Sequence, residues 1–585
     1  MSTLGNFIWN IADQLRGVYK PAQYGNVILP FTILRRLDAQ MDQHRDVMRE
    51  LAAKTPNAEL LARQVKKQTG LTFHNTSKYD FARLVADPAG LRENLTDYLT
   101  KFSDNIDVFS RFKVDNEIAT LAEKDRLYLV VKQFADVDLH PKTISNADMG
   151  DLFEELIRKF AEASNETAGE HFTPRDAIHL MVDLLYAEDT EALTKPDIIR
   201  SVYDPTAGTG GMLSVAEEHL LTRNPSARMT LHGQELNDQS YAICKSDMIA
   251  KGQDPTNIKL GDTLADDQFA GQLFDYCLAN PPYGVDWKAS EKAIKAERAA
   301  TGEHGRFGPG LPRISDGQML FLTHLASKMR LPKDGGGRAG IVLNGSPLFT
   351  GAAGSGESEI RRHLLEHDLV DVIVALPTDM FYNTGIATYV WILDNTKSDE
   401  RKGLVQLIDG TSFFSKMRKS LGSKRREIGS AHRDRLVRIY SGFDDQTDED
   451  AEFSKVLPTA EFGFWTITVE RPLRDEDGKL VTDRKGTPKP DSKLRDTENI
   501  PFLYGRKGER DAPDRDPTIK AYLEAEVLPH MPDAWLDEKK TKVGYEIPFT
   551  RHFYKYVPPR PLEEIDAELN VLVKEIIELL QEIES

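Results

Sequence analysis

The chain has 585 residues, 40% of them apolar and 29% charged, with a formal net charge of −18. The length is too great for one ordinary core, and no apolar stretch approaches the roughly 20 residues of a membrane span. Residues 1–10 lack the features of a signal peptide, and two cysteines are too few for a disulfide framework or a cysteine-based zinc site. We therefore expect a cytoplasmic protein without membrane contact. The acidic balance also argues against a protein that holds nucleic acid unaided.

The chain divides by pattern into four regions. In residues 1–164, apolar residues recur at helical spacing from residue 4 onwards and glycine is sparse, which predicts a helical domain. Residues 165–395 alternate short β-rich runs with helical segments, which predicts an α/β domain with a doubly wound, mostly parallel sheet. The predicted strands are 198–203, 229–233, 258–260, 274–279, 340–343, 370–376 and 388–393, and predicted helices include 211–221, 239–250 and 317–329.

The remaining residues are looser in composition. Residues 396–557 are interpreted as an extension of the α/β region, with a charged hairpin or disordered insertion at 475–492. Residues 558–585 contain a predicted C-terminal helix whose apolar residues are spaced by four and three in alternation, which suits a partner helix or packing on the chain's own body. Basic residues within 416–426 indicate either a local DNA-binding patch or a solvated loop.

A glycine-rich segment follows the first predicted β strand and opens a helix. Glycines allow a ligand to approach the backbone closely, and the first turn of a helix has free N–H donors. Glu235 ends the second strand, where a carboxylate accepts hydrogen bonds from a ribose diol. Asp262 follows the third strand and is either an acceptor for an adenine amine or a helix N-cap. The predicted nucleoside-cofactor site comprises Asp204, Thr206, Gly208, Thr209, Gly210, Gly211, Glu235 and Asp262.

The sequence Asn280-Pro281-Pro282-Tyr283 directly follows the fourth predicted strand. Two prolines after a buried strand have no obvious stabilising purpose. Together with the preceding glycine-rich segment, this motif resembles the amino-methyltransferase family that acts on adenine in DNA. The resemblance implies a Rossmann-like domain that uses S-adenosylmethionine, with no metal.

The resemblance also assigns roles to the motif. The Asn280 side-chain oxygen and the Pro281 carbonyl would accept the two hydrogens of the adenine amine, and Pro282 would keep that backbone rigid. Tyr283 offers a ring face to a base turned out of the duplex. Phe381 is the candidate for the base's other face, with an ordinary core phenylalanine as the alternative.

A segment ahead of these motifs resembles the part of the family that caps the methionine end of the cofactor; it comprises Glu170, His171, Phe172, Thr173 and Pro174. A metal-ligand or general-base role for His171 is disfavoured, because no second ligand lies at a useful spacing.

The order of the motifs, with the N-terminal and C-terminal segments, resembles the methylation subunits of type I restriction–modification systems. This resemblance implies that DNA is the substrate, that a separate specificity subunit binds two methylation subunits, and that a restriction subunit can join. Three alternatives remain open: methylation of cytosine N4 or of a protein glutamine, a stand-alone DNA methyltransferase, and a cofactor-binding scaffold without catalysis in a phage-defence complex.

Overall fold

The computed structural model describes residues 11–145, 148–149, 152–153, 156, 173–382, 384–421, 423–443, 449–506, 509–554, 556 and 561–584, with side chains for all except 22, 419, 421 and 578–584. The N-terminal region is helical, as predicted. Its helices are Tyr24–Met41, Arg45–Lys54, Ala58–Thr69, Phe81–Ala86, Leu91–Thr100, Val108–Arg111, Val114–Glu123 and Leu127–Ala135. Asn57 and Asp80 begin two of them as N-caps, each accepting a backbone N–H with its side chain.

A nine-stranded sheet forms the centre of the molecule. Its strands are β1 (Ile199–Asp204), β2 (Arg228–Glu235), β3 (Ile258–Leu260), β4 (Tyr276–Ala279), β5 (Arg338–Asn344), β6 (Val370–Ala375), β7 (Thr388–Asp394), β8 (Leu404–Asp409) and β11 (Ser454–Pro458). Strands β9 (Ser415–Leu421) and β10 (Lys424–Glu427) form a separate hairpin outside this sheet. The spatial order is β11-β8-β6-β7-β5-β4-β1-β2-β3. Strands β3, β2, β1, β4 and β5 are parallel to one another, whereas β7 runs antiparallel to both its neighbours. The predicted mostly parallel sheet is confirmed.

The strand order determines where a ligand can bind. The chain proceeds outward from β1 through β2 to β3 and then crosses back to place β4 on the other side of β1. In doubly wound sheets, such a reversal leaves a crevice at the carboxyl ends of the strands. The ends of β1, β2 and β4 and the loop after β3 bring the predicted site residues to this crevice.

Helices surround the sheet. Helix Gly211–Arg223 packs with helix Arg175–Tyr186, and helix Gln318–Lys328 packs with helix Gly356–Glu366. Helix Asp238–Ala250 contacts β2 and β3 and also contributes apolar residues to the core of the N-terminal helical region. The remaining helices of this part are Thr190–Thr194, Glu291–Thr301, Ser346–Phe349, Ser430–Gly442 and Arg515–Tyr522.

The sheet does not end at Asn395, since β8 and β11, which were not predicted, join its edge. A second sheet is built from β12 (Gly463–Glu470), β13 (Asp496–Pro501), β14 (Trp535–Leu536) and β15 (Lys542–Tyr545). Isolated antiparallel bridges pair Pro472 with Pro490, Arg474 with Leu480 and Thr482 with Pro488. The charged segment 475–492 is therefore a hairpin, as one of the two predicted alternatives stated, and not a disordered insertion.

Residues 548–585 form a separate compact unit. It contains helices Phe549–Phe553 and Leu562–Glu584. Leu569, Leu572 and Ile576 of the long helix are each more than half exposed. No helix of the described residues is long and apolar enough to cross a membrane.

Candidate active site

The turn after β1 has the conformation that its glycines permit. Gly208 and Gly210 have φ angles of 53° and 85°, in the left-handed region that favours glycine. A Cβ atom on Gly210 would lie 2.8 Å from the Cys244 Sγ atom. Gly210 also caps helix Gly211–Arg223, whose first N–H groups are left for a ligand.

Asp204 ends β1 and is only 1% exposed. Its Oδ1 atom accepts hydrogen bonds from the Thr206 backbone N–H (2.9 Å) and hydroxyl (3.2 Å). Its Oδ2 atom has no hydrogen-bond partner among the described residues. Burial raises the pKa of this carboxyl to about 7; the Thr206 bonds oppose that shift and the charge of Glu235 adds to it. A buried carboxylate oxygen without a partner is costly, and it points to a ligand that supplies the missing donor.

Glu235 ends β2 and holds the turn together. Its Oε2 atom accepts the Gly208 N–H at 2.8 Å, and its Oε1 atom accepts the Asn237 N–H at 2.7 Å. Each carboxylate oxygen has two acceptor sites, so both retain capacity for a ligand hydroxyl. The glycine-rich turn and the acidic residue of the next strand are thus one hydrogen-bonded unit.

Both carboxylate oxygens of Asp262 already accept hydrogen bonds, and the residue does not cap a helix. One carboxylate oxygen accepts the Leu264 N–H at 2.9 Å, and the other accepts a short hydrogen bond from the Ser290 hydroxyl. The residues that follow Asp262 form a turn, so the helix N-cap interpretation was wrong. The side chain closes a local turn and still lines the cavity described below.

The Asn-Pro-Pro-Tyr motif leaves β4 with its asparagine fixed from both ends. The Asn280 Nδ2 atom donates to the Thr173 hydroxyl oxygen at 2.9 Å, and the Tyr283 hydroxyl donates to Asn280 Oδ1 at 2.6 Å. Burial raises the pKa of the Tyr283 phenol above its ordinary value, which keeps this group a donor. With the amide nitrogen held by Thr173, the oxygen has a defined direction and one acceptor site to spare.

Phe381 packs edge to face against Tyr283, with ring centroids 6.0 Å apart and an interplanar angle of 84°. Phe381 is 3% exposed and belongs to the apolar core, as the structural alternative predicted, yet it also lines the cavity. A base could stack on both rings only after one of them turned. Its stacking role therefore stays a prediction.

A single cavity of about 920 Å³ joins the two halves of the predicted site. Most predicted residues line it: Thr173, Asp204, Thr206, Gly208, Thr209, Gly211, Glu235, Asp262, Asn280, Pro281, Pro282, Tyr283 and Phe381. Gly210 and Pro174 do not line the cavity. They occupy the N-cap positions of helices Gly211–Arg223 and Arg175–Tyr186. Glu170, His171 and Phe172 lie outside the described residues. Among those described, no cluster of three His, Cys, Asp or Glu side chains is arranged to hold a metal.

Sequence reasoning missed several residues of the cavity wall. Leu236 is 68% exposed although it directly follows Glu235, and Ile386 and Val285 are about half exposed. An apolar residue next to a carboxylate that is predicted to bind the cofactor is the one signal that could have identified Leu236. Phe321 comes from helix Gln318–Lys328, which carries no motif.

The sequence resembles known methylases over most of its length. Residues 145–463, more than half of the chain, match the family described as N-6 DNA Methylase, and residues 4–134 match the HsdM N-terminal domain. The chain is 26% identical over 474 residues to the type I restriction enzyme MjaIX methylase subunit of Methanocaldococcus jannaschii, covering 76% of this chain and 78% of that protein. It is 27% identical over 296 residues to the type I restriction enzyme EcoKI methylase subunit of Escherichia coli K12, covering 47% of this chain and 50% of that protein.

The fold agrees with these relatives. The crystal structure of a type I restriction–modification methyltransferase subunit from Streptococcus thermophilus is 25% identical, with a TM-score of 0.60 and coverage of 79% of this chain and 96% of that chain. The family match spans β1 to β4 and therefore both halves of the cavity. The chain, with its Asn-Pro-Pro-Tyr motif on the wall of that cavity, belongs to the N-6 DNA methylase family.

Proposed function

We propose that this chain transfers a methyl group from S-adenosylmethionine to the N6 amine of adenine in DNA, as the methylation subunit of a type I restriction–modification complex. The observation that carries the proposal is the single cavity, which Asp204 and Glu235 line together with Asn280 and Tyr283. A cofactor half and an amine-binding half within one cavity are what a direct transfer requires.

The residues present fit the cofactor. The unpartnered Oδ2 atom of Asp204 would accept a donor from it, Glu235 would accept the ribose hydroxyls, and Asp262 lies where an adenine amine could bind. The Thr173 segment would face the methionine end. When bound, S-adenosylmethionine supplies a methyl group on a positively charged sulfur, which leaves as a neutral thioether.

Asn280 and Pro281 would prepare the amine. The nitrogen of adenine N6 is a poor nucleophile because its lone pair is delocalised into the ring. Two acceptors, Asn280 Oδ1 and the Pro281 carbonyl, would hold the two amine hydrogens and direct the lone pair toward the methyl group. Asn280 is not a base, so the amine loses its proton to water during or after the transfer rather than before it.

Thr173 is expected to act as a positioning residue for Asn280. In Thr173→Val the hydroxyl that accepts Asn280 Nδ2 is lost, so the amide can rotate and kcat should fall by about tenfold, the effect of one neutral hydrogen bond. Thr173→Ser keeps a hydroxyl and should restore most of the rate. Single-turnover methyl transfer measures the rate, and calorimetry measures cofactor affinity. An unchanged rate in the valine variant would contradict this role.

The proposed acceptor is tested by analysis of the product. The chain, alone and with its specificity subunit, is incubated with DNA and isotopically labelled S-adenosylmethionine, and the digested nucleosides are analysed by mass spectrometry. We expect label in N6-methyladenine, and only when the specificity subunit is present. Label in N4-methylcytosine or in protein would reject the acceptor, and efficient sequence-specific transfer by the chain alone would reject the need for a specificity subunit.

The long C-terminal helix is the proposed contact with the specificity subunit. We propose that two copies of this chain bind one specificity subunit and that a restriction subunit joins this complex. The exposed apolar residues of the helix support this contact. Deletion of residues 562–585 should abolish co-purification with the specificity subunit. Leu569→Asp with Leu572→Asp should do the same, whereas Glu568→Lys with Asn570→Lys should not. Complex formation by the deletion variant at the normal level would reject the contact. Such an assembly would act where the cell's DNA lies, in the cytoplasm.

A further inference from the structure

The β9–β10 hairpin is a basic element on an acidic protein. Residues 415–427 contain six lysines and arginines and one acidic residue, against a net charge of −18 for the whole chain. The strands pair in antiparallel fashion with an irregularity between Lys424 and Arg426. The segment is thus an ordered β-hairpin rather than the solvated loop that was one of the two sequence-based alternatives.

Two of the basic side chains anchor the hairpin to the body. The Lys424 ammonium is buried, donates to both oxygens of the Asp176 carboxylate at 2.9 Å, and donates to the Met380 carbonyl at 3.1 Å. The Arg426 guanidinium lies 4.2 Å from the Phe414 ring centroid and donates to the Thr378 hydroxyl at 3.0 Å. These contacts account for two of the six positive charges.

The backbone of the hairpin is bonded to the loop that carries Phe381. The Arg425 and Arg426 N–H groups both donate to the Asp379 carbonyl, at 2.9 and 3.3 Å, and the Ser423 N–H donates to the Tyr382 carbonyl at 2.9 Å. The same loop continues to Thr384 and Ile386, which line the cavity. The hairpin therefore adjoins the amine-binding half of the cavity.

Three further basic side chains, those of Lys416, Arg418 and Arg425, are exposed. None of them forms an ion pair with a carboxylate in the described part of the chain, whereas most other arginines of this protein have an acidic partner. Lys416 and Arg418 stand two residues apart on β9, so they project to the same side of the strand. Unpaired, exposed cations of this kind bind phosphate oxygens.

We propose that the β9–β10 hairpin binds the sugar–phosphate backbone of the DNA beside the base that enters the cavity, through Lys416, Arg418 and Arg425. The inference rests on the proposed function for the identity of the nucleic acid. Duplex DNA must pass the opening of the cavity when one of its bases is turned inside, and this hairpin is the basic element hydrogen-bonded to that loop. It provides local phosphate binding on a chain whose overall charge opposes it.

The test compares two variants of the full-length chain that lose the same charge. The first is Lys416→Gln, Arg418→Gln, Arg425→Gln. The control is Arg484→Gln, Lys485→Gln, Lys489→Gln, which removes three exposed charges from the hairpin in residues 475–492. Each variant is purified in complex with the specificity subunit. Binding of a fluorescein-labelled duplex of mixed sequence is measured by anisotropy over a range of salt concentrations, and cofactor binding checks that each variant is folded.

We expect the first variant to bind DNA at least tenfold more weakly at low salt. Its slope of log affinity against log salt should flatten by about 2 to 3, because each lost phosphate contact removes about 0.9 from the slope. The control should match the wild type. Equal losses in both variants, an unchanged slope in the first, or a wild-type complex that does not bind the duplex at low salt would each overturn the proposal. If the first variant alone failed to co-purify with the specificity subunit, the hairpin would be a protein contact, and this result would also overturn the proposal. Because no methyl transfer is measured, failure here is separate from failure of the proposed reaction.

Discussion

Asn280→Ala is expected to abolish methyl transfer while the cofactor still binds. The Asn280 side chain is hydrogen-bonded to Thr173 and Tyr283, whereas Asp204 and Glu235 are held by bonds to other residues, so we expect its loss to leave those two carboxylates in place. Removing one preorganised hydrogen-bonding group from an active site costs about 10² to 10³ in rate. We expect at least the upper end of that range, because Asn280 would both orient the amine and redirect its lone pair. Single-turnover kinetics and calorimetry with the cofactor measure the two effects separately.

Asn280→Gln is the matched control for this variant. Glutamine keeps the amide but moves it by one methylene, so a role that depends on position predicts a loss nearly as large as that of alanine. A normal rate in Asn280→Ala would refute the proposed mechanism. Absence of transfer in the wild-type complex, with normal cofactor binding, would instead favour a scaffold without catalysis.

Asp204→Asn is expected to weaken cofactor binding. At alkaline pH it is expected to stabilise the cofactor-free protein. The variant loses the charged acceptor Oδ2, so cofactor affinity should fall by about 10- to 100-fold, the effect of one hydrogen bond to a charged group. The stability effect has the opposite sign, because burial raises the pKa of Asp204 to about 7 and ionisation in the folded state is therefore costly. That cost is on the order of 4 kcal/mol, reduced by the unpaired amide that asparagine introduces.

The direction with pH follows from linkage. Between pH 4 and 7 the folded protein holds a proton on Asp204 that the unfolded chain has released, so the wild type loses stability as pH rises and bears the full cost above pH 7. The melting temperature of Asp204→Asn relative to wild type should therefore increase from pH 5 to pH 8. Burial also raises the pKa of Glu217 to about 7, but that residue is present in both proteins. Asp334→Asn, at an exposed carboxylate, should show no such trend. A constant difference between wild type and Asp204→Asn would contradict the assignment.

The sequence predicted most of the residues that the structure brings to one cavity, because they belong to contiguous motifs at strand ends. The turn from Asp204 to Gly211 and the motif from Asn280 to Tyr283 each follow a buried strand, and the carboxyl ends of parallel strands meet at one edge. Alternation of strands and helices was sufficient to predict that edge. The contact of Thr173 with Asn280 joins residues 107 apart and has no local signal, so it required the structure.

The strands that sequence reasoning missed lie beyond Asn395. Strands β8 and β11 follow the last predicted strand, and β11 is short and half polar, which hid its place at the sheet edge. The sheet of β12 to β15 is assembled from strands separated by long polar segments, and register between such strands is fixed by tertiary contacts. Asp262 was misread as a possible helix cap because an Asx turn and a helix N-cap place the same residue type before the same backbone donors.

The most direct test of the account is a crystal structure of the chain with its specificity subunit, S-adenosylhomocysteine and a DNA duplex. The account predicts that the cofactor product lies against Asp204 and Glu235, and that an adenine turned out of the duplex places its N6 atom within hydrogen-bonding distance of Asn280 Oδ1 and the Pro281 carbonyl. A base held elsewhere in the complex, or a cofactor bound away from the turn after β1, would contradict it.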